Sequence, residues 1–382
     1  MYIYADNAAT TRLSKTALDA MLPYLTEEYG NPSSLHTAGK KSFEAAEKAG
    51  KDVADLLGFE NARVIFNSGG SEANTQALLT GAAYGEKSNK KHIVSTAFEH
   101  SSVTETLEML RSRGFEITLL NPDENGFISV SQIKDALRCD TCLVSVMFAN
   151  NEVGTVQPVK EIGALCAAAG VLFHTDAVQA AGHIKTDNKI INADMISISA
   201  HKFRGPKGTG ALILKDGLFP YRLIFGGKTQ GGMRGGTVDT AGAVGMAAAL
   251  TEACGNIEKT NERLYKARLA LIDGLLKIPG AKFNGAKENS LPGIVNVSFK
   301  GIEGERLVLL LDTKGIACSS GSACSGGNAP SASLKAMGRS DEEARQSIRL
   351  SLGENITDDE IGYIINTTTE CVRLLRSTET EL

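Results

Sequence analysis

ADMISISAHKFRGPKGTG, residues 193–210, joins a short β-prone run to an abrupt stop. Met195-Ile196-Ser197-Ile198-Ser199 favours a strand, and the turn Gly205-Pro206-Lys207-Gly208 that follows His201-Lys202 cannot extend one. Lys202 therefore falls at the carboxyl end of a strand, the edge at which open α/β sheets place their ligands. A lysine amine does nucleophilic work through Schiff-base chemistry or in an unusual environment, and pyridoxal 5'-phosphate is the commonest Schiff-base partner in enzymes. A solvated lysine in a turn has the same local pattern, so a catalytic lysine needs the cofactor's other contacts elsewhere in the chain.

Those contacts are a carboxylate for the ring nitrogen, backbone donors for the phosphate, and a flat or apolar group against the ring face. Upstream, Gly170-Val171-Leu172-Phe173-His174-Thr175-Asp176 is an apolar run that ends in an acid. A carboxylate at the end of a buried strand is costly without a cation, which a pyridinium supplies, although Asp after a strand is also a common helix cap. Arg63-Val64-Ile65-Phe66 reads as a strand, after which Ser68-Gly69-Gly70-Ser71 opens a helix-like stretch. Small residues at such a turn leave N–H groups free for a phosphate, and the same residues can equally form an ordinary capping box.

Working outward, strand-like and helix-like stretches alternate from Val64 to Leu214, which predicts an α/β fold with a mainly parallel sheet covered by helices. Ala/Gly-rich composition over 242–253 and a charged helix after it mark a change near residue 250. We expect a large cofactor-binding domain over 13–249 and a small α+β domain formed by 1–12 plus 250–382. At 382 residues the chain is long enough for both.

A net charge of −4 and a hydrophobic content of 42% argue against nucleic-acid or anionic-membrane partners. MYIYADNAATT lacks the basic start and apolar core of a signal peptide, and no stretch approaches the ~20 apolar residues of a membrane span, so a cytoplasmic protein is expected. Seven cysteines without regular spacing agree with a reducing compartment. Cys139-Asp140-Thr141-Cys142 has no second pair or histidine cluster nearby, and no metal is expected. Gly226-Gly227-Lys228-Thr229 looks like the end of a nucleotide-binding loop, but Arg222 holds the position of its first glycine and a second glycine cluster follows where a helix should begin.

Taken in order, ten motifs resemble the group I, NifS/IscS-type cysteine desulfurases of the class V aminotransferase-like, fold-type I pyridoxal phosphate enzymes. They are Asp6-Asn7-Ala8-Ala9-Thr10-Thr11, Gly30-Asn31-Pro32, Ser68-Gly69-Gly70-Ser71-Glu72, Glu99-His100, Asn150-Asn151-Glu152-x-Gly154, Asp176-Ala177-x-Gln179, Ser199-x-His201-Lys202, Arg234-x-Gly236-Thr237, Ser319-Ser320-Gly321-Ser322-Ala323-Cys324 and Arg349-x-Ser351-Leu352-Gly353. The resemblance implies a seven-stranded sheet in the large domain. It also implies conversion of L-cysteine to L-alanine, with the sulfur carried as a persulfide to an acceptor such as an iron–sulfur scaffold protein. Lys202 would attach the cofactor, Asp176 would hold its ring nitrogen, and His100 would stack on the ring and move protons. Gly70, Ser71, Asn151, Gln179, Ser199 and His201 would be further cofactor contacts. Thr237 would reach the phosphate of a neighbouring subunit, which implies a homodimer with shared sites. The chain departs from the family at Thr229-Gln230, where the pattern carries Gln or His and then Glu.

Two residues supply what lysine and pyridoxal do not. Cys324 lies in a polar stretch of small residues where few neighbours would bury it, so its thiol is either a mobile nucleophile or incidental. By resemblance it is the persulfide carrier, whereas Cys318, after Ile316 and Ala317, reads as strand packing. Arg349 in the β-like run Ser347 to Leu352 is a fork of donors that asks for a carboxylate, from a substrate or from a structural ion pair. The resemblance assigns it, with Asn31 or Asn151, to the substrate carboxylate. A selenocysteine lyase or another class V aminotransferase would keep Lys202 and Asp176 as well, and a catalytically silent sulfur-relay scaffold is the alternative that the altered 229–230 segment leaves open.

Overall fold

The computed structural model describes residues 1–320 and 330–380. Its seven-stranded sheet runs in the spatial order 63–67, 210–214, 195–199, 172–176, 141–145, 92–96 and 116–120. Five strands are parallel, from Met195–Ser199 across to Glu116–Leu120. Gly210–Leu214 is antiparallel to both of its neighbours. The glycine and proline turn at 205–208 dictates that reversal, since it returns the chain directly instead of through a crossover helix. The sheet is therefore mainly parallel with seven strands, as the motifs imply.

Strand alternation sorts the side chains onto two faces. Ile196, Ile198, Ala211 and Ile213 join the core on one face, while Met195, Leu212 and Leu214 join the core on the other, beneath the helix Gly70–Lys87. Each such fully buried Ile or Leu contributes about 1.5–3 kcal/mol. Ser197 and Ser199 share the parity of Met195 and so face that helix. His174 sits between two hydroxyls of the neighbouring strands, Ser145 Oγ and Ser197 Oγ, both at 2.9 Å. Burial pushes its imidazole down to about 3, so it stays neutral and braces the strands.

In the parallel part the strand order reverses between His92–Thr96 and Thr141–Ser145. The crevice outside the carboxyl ends of two such strands is where this architecture binds ligands. Residues 97–100 and 146–151 flank it directly.

A second sheet, all antiparallel, is ordered Ser319–Ser320, Ser347–Ser351, Ile294–Phe299 and Ala281–Asn284. Its core of Val295, Val297, Phe299, Ile348 and Leu350 packs on Leu271, Ile272 and Leu275 of the helix Ile257–Leu275. The N-terminal arm connects the two sheets. Ile3–Tyr4 pairs in parallel with Ile316–Ala317, Asp6 bridges to Ser351, and the Thr11 N–H donates to the carbonyl of His201 at 3.0 Å. Among the described residues, no helix is long and apolar enough to cross a membrane.

Candidate active site

Lys202 closes a single 3₁₀ turn, Ala200–Lys202, that follows the strand Met195–Ser199. Its Nζ donates to the carbonyls of Ala8 at 2.7 Å and Ala9 at 3.0 Å. Gln179 Nε2 donates to the same Ala8 carbonyl at 2.9 Å, so Lys202 and Gln179 meet on the N-terminal arm. His201 Nδ1 lies 3.1 Å from Thr10 Oγ1. Burial, then the positive charges of Lys202 and Lys207, push the His201 imidazole down to about 4, which keeps a second cation away from the lysine at neutral pH.

Asp176 ends the adjacent strand, Leu172–Asp176, and is buried. Its Oδ1 accepts the Val178 N–H at 2.9 Å and its Oδ2 accepts Asn74 Nδ2 at 2.6 Å. The same Asn74 amide donates to Ser102 Oγ at 3.0 Å, and Ser102 Oγ lies 2.8 Å from His100 Nδ1. A continuous polar chain thus joins Asp176 to His100. His100 also caps the helix Ser101–Ser112 by accepting the Ser102 N–H at 3.2 Å.

The helix Gly70–Lys87 starts after Gly69 with no side-chain cap. The capping box that Ser68 or Ser71 could have formed is absent; instead the Ser68 N–H donates to Glu72 Oε2 at 2.9 Å. Ser199 faces this helix start: a Cβ at Gly70 would lie 3.6 Å from Ser199 Cβ and only 2.7 Å from Val178 Cγ2. Gly69 adopts φ 148°, a conformation that favours glycine. Uncapped N–H groups at a helix start, a close glycine approach and a neighbouring hydroxyl together make an anion cradle. With Asp176 at the end of one strand and Lys202 in the turn after the next beside it, the residues present fit a phosphorylated pyridine aldehyde.

Arg349 lies across the site on the second sheet, buried in Ser347–Ser351. Its Nη1 donates to the Asn151 carbonyl at 3.0 Å and its Nη2 to Asp6 Oδ1 at 2.8 Å. The buried Nε has no hydrogen-bond partner among the described residues. Both sequence alternatives for Arg349 therefore have a physical basis here, an ion pair already made and a donor still to be used. Asn31 lies on an exposed stretch, where its Oδ1 accepts the Ser33 N–H at 2.9 Å. Thr237 is exposed on the loop after Arg234, whose Nε pairs with Glu72 Oε1 at 3.0 Å. Cys324 lies outside the described residues. Cys318 joins the strands Ile316–Ala317 and Ser319–Ser320, and burial pushes its thiol up to about 12.

The departure at Thr229-Gln230 has a structural use. Gln230 Oε1 accepts the Phe66 N–H at 2.7 Å and its Nε2 donates to the Phe66 carbonyl at 2.8 Å, so one side chain occupies the open edge of Arg63–Asn67. In the CxxC, Cys142 is buried with its Sγ on the His92 carbonyl, and burial raises its thiol to about 11. Sequence reasoning missed Asn74 as the partner of Asp176 and Asp6 as the partner of Arg349. Asn74 was visible as a polar residue one helical turn after Gly70, whereas only the fold brings Asp6 to residue 349.

The aminotransferase class-V family model matches residues 3–364. The chain is 46% identical over 378 residues to "Cysteine desulfurase IscS" of Clostridium botulinum, covering 98% of this chain and 95% of the relative. It is 44% identical to "Cysteine desulfurase IscS" of Methanosarcina thermophila, covering 98% and 93%. Among solved structures, a "NifS-like protein" superposes with a TM-score of 0.92 at 35% identity, covering 98% of this chain and all of that one. "SspA in complex with cysteine" superposes with a TM-score of 0.79 at 34% identity, covering 92% and 98%. With a lysine at the sheet edge, an acid on the next strand and relatives aligned over nearly its whole length, the chain belongs to the class V aminotransferase family and, within it, to the IscS/NifS-type cysteine desulfurases.

Proposed function

We propose that this protein converts L-cysteine to L-alanine with pyridoxal 5'-phosphate held by Lys202, and that Cys324 carries away the sulfur. The observation that carries this reading is the placement of Lys202 and Asp176 at the ends of adjacent strands beside an uncapped glycine turn. Gly70, Ser71 and Ser199 hold the phosphate, joined by Thr237 from a second copy of the chain in a homodimer. Asp176 keeps the ring nitrogen protonated, with His100 against the ring, and Asn151, Gln179 and His201 line it. When bound, the cofactor serves as an electron sink for the bonds broken at the substrate's Cα.

The chain's own groups do the rest. Arg349, aimed by Asn151, binds the substrate carboxylate; the exposed Asn31 is a second candidate for that task. Lys202 Nζ takes the proton from Cα, and His100 serves as its proton partner. The Cys324 thiolate then attacks the substrate sulfur. An S–S bond forms as the Cβ–S bond breaks, and the carbon fragment keeps that electron pair, takes one proton at Cβ, regains at Cα the proton that Lys202 removed, and leaves as L-alanine. The persulfide passes to a sulfur-acceptor protein such as an iron–sulfur scaffold. The six cysteines described are all unpaired, which suits the reducing cytoplasm.

The test is incubation of the pyridoxal-loaded protein with sulfur-labelled L-cysteine, scoring alanine and protein-bound label. Wild type should yield both, and Cys324→Ala should hold no label. Equal labelling of that variant overturns the assignment of the carrier. Failure of wild type to make alanine overturns the reaction, and would favour the silent relay scaffold.

A further inference from the structure

Arg349 is gripped from two sides by the chain itself, and the firmer grip comes from Asp6. Asp6 Oδ1 accepts both Arg349 Nη2 and Ser319 Oγ at 2.8 Å. The backbone beyond it is stitched to the arginine's own strand: the Asn7 N–H donates to the Ser351 carbonyl at 3.1 Å and the Ala8 N–H to Ser351 Oγ at 2.9 Å. The side chains of Arg349 and Asp6 are only 7% and 18% exposed, so water screens the pair weakly. With the Asn151 carbonyl on Nη1, both terminal nitrogens are engaged, and the buried Nε is left without a partner among the described residues.

We infer that Asp6 is a positioning residue that sets affinity for the amino-acid substrate. It holds the guanidinium so that Nε faces the incoming carboxylate, and its own negative charge weakens the binding of that carboxylate. The two effects separate by chemistry. An amide at position 6 still accepts the Nη2 and Ser319 hydrogen bonds but lifts the repulsion, whereas a methyl group removes the strut itself. The inference rests on the reading of Arg349 as the carboxylate anchor.

Equilibrium titration of the pyridoxal-loaded protein with L-alanine, followed by cofactor absorbance, tests it, with L-alanine amide as the ligand that lacks the carboxylate charge. Asp6→Asn should lower the Kd for L-alanine at least about fivefold, the effect of one charge at a few ångströms even with full water screening, and leave the amide's Kd unchanged. Asp6→Ala should raise the Kd for L-alanine by about fivefold or more. The inference is overturned if both variants weaken L-alanine alike, or if Asp6→Asn shifts acid and amide by the same factor. If wild type shows no response to L-alanine, or Arg349→Ala leaves its Kd unmoved, the anchor reading itself fails and this inference falls with it.

Discussion

The two sides of the site are built differently. On the lysine side, Asp176 ends one strand, Lys202 closes the 3₁₀ turn after its parallel neighbour, and Gly69-Gly70 stands beside them at the start of the helix over the same sheet face. Backbone register places the elements that carry these groups, and their neighbours are buried Ile, Ala and Val. On the arginine side, Arg349 depends on Asp6, 343 residues away, and on the Asn151 carbonyl, 198 residues away. The sheet end on the lysine side is stiff because Leu172–Asp176 and Met195–Ser199 are each hydrogen-bonded to a strand on both sides. The arm on the other side has no such ladder: beyond the two-residue pair at Ile3–Tyr4 it is held by separate hydrogen bonds that Asp6, Asn7, Ala8 and Thr11 make with different elements.

The comparison can be broken most severely at Lys202. Lys202→Ala should abolish cofactor attachment and lower alanine formation by roughly 10⁴-fold. Stability should change little, because the strand Met195–Ser199 keeps its pairing; absorbance of the purified protein and a melting curve read the two effects. A melting temperature that collapses with activity would show the lysine side to be as dependent on side-chain contacts as the arginine side.

Arg349→Ala should cost less activity but more structure. Loss of a charge-assisted hydrogen-bond pair is worth about 1.5–3 kcal/mol, or roughly 10- to 100-fold in kcat/KM, carried mainly by KM. The same substitution leaves Asp6 without its cation, so the protein should melt at a lower temperature and protease cleavage within residues 1–12 should rise. Unchanged protease sensitivity would remove the proposed dependence of the arm on this pair.

Gly70→Ala sharpens the stiffness argument. Its Cβ would meet Val178 Cγ2 at 2.7 Å, with Ser199 Cβ at 3.6 Å close beside it. The overpacking should cost about 1–3 kcal/mol and weaken cofactor affinity, measured by dialysis of the loaded protein.

A last effect, seen only as pH is varied, concerns Glu99, beside His100. Burial pushes its carboxyl up to about 8 from an ordinary 4.5, against hydrogen bonds from Thr96 Oγ1 and the Met147 N–H to its Oε1. The folded protein then keeps a proton that the unfolded chain releases, so this group's stabilisation is complete below about pH 4.5 and is lost as pH rises toward 8. Glu99→Gln cannot ionise. Its melting temperature should gain on wild type steadily between pH 5 and 8, and parallel curves for the two proteins would contradict the assignment.

Much of the lysine side was legible beforehand. The strand ending at Ser199, the acid at 176 and the glycine turn at 68–71 all carry local signals: β-branched runs, turn residues and small residues at a helix start. Arg349 was legible as a guanidinium in a strand, but its partner was not. Of the two readings open for 68–71, the capping box is not formed: the helix begins at Gly70 with the hydroxyls outside the cap position, and the Ser68 N–H meets the Glu72 carboxylate instead. Gln230 looked like an altered active-site residue, yet its amide serves the edge strand at Phe66.

Periodicity and turn chemistry thus determined the alternating strands and helices, the mainly parallel sheet and the strand end on which Lys202 stands, since each depends on residues within a few positions of one another. Only the tertiary structure decided that the arm at Asp6 and Ala8 would touch both Arg349 and Lys202. Such a contact depends on how two separate cores settle against each other, and no local pattern in the chain encodes the distance between them.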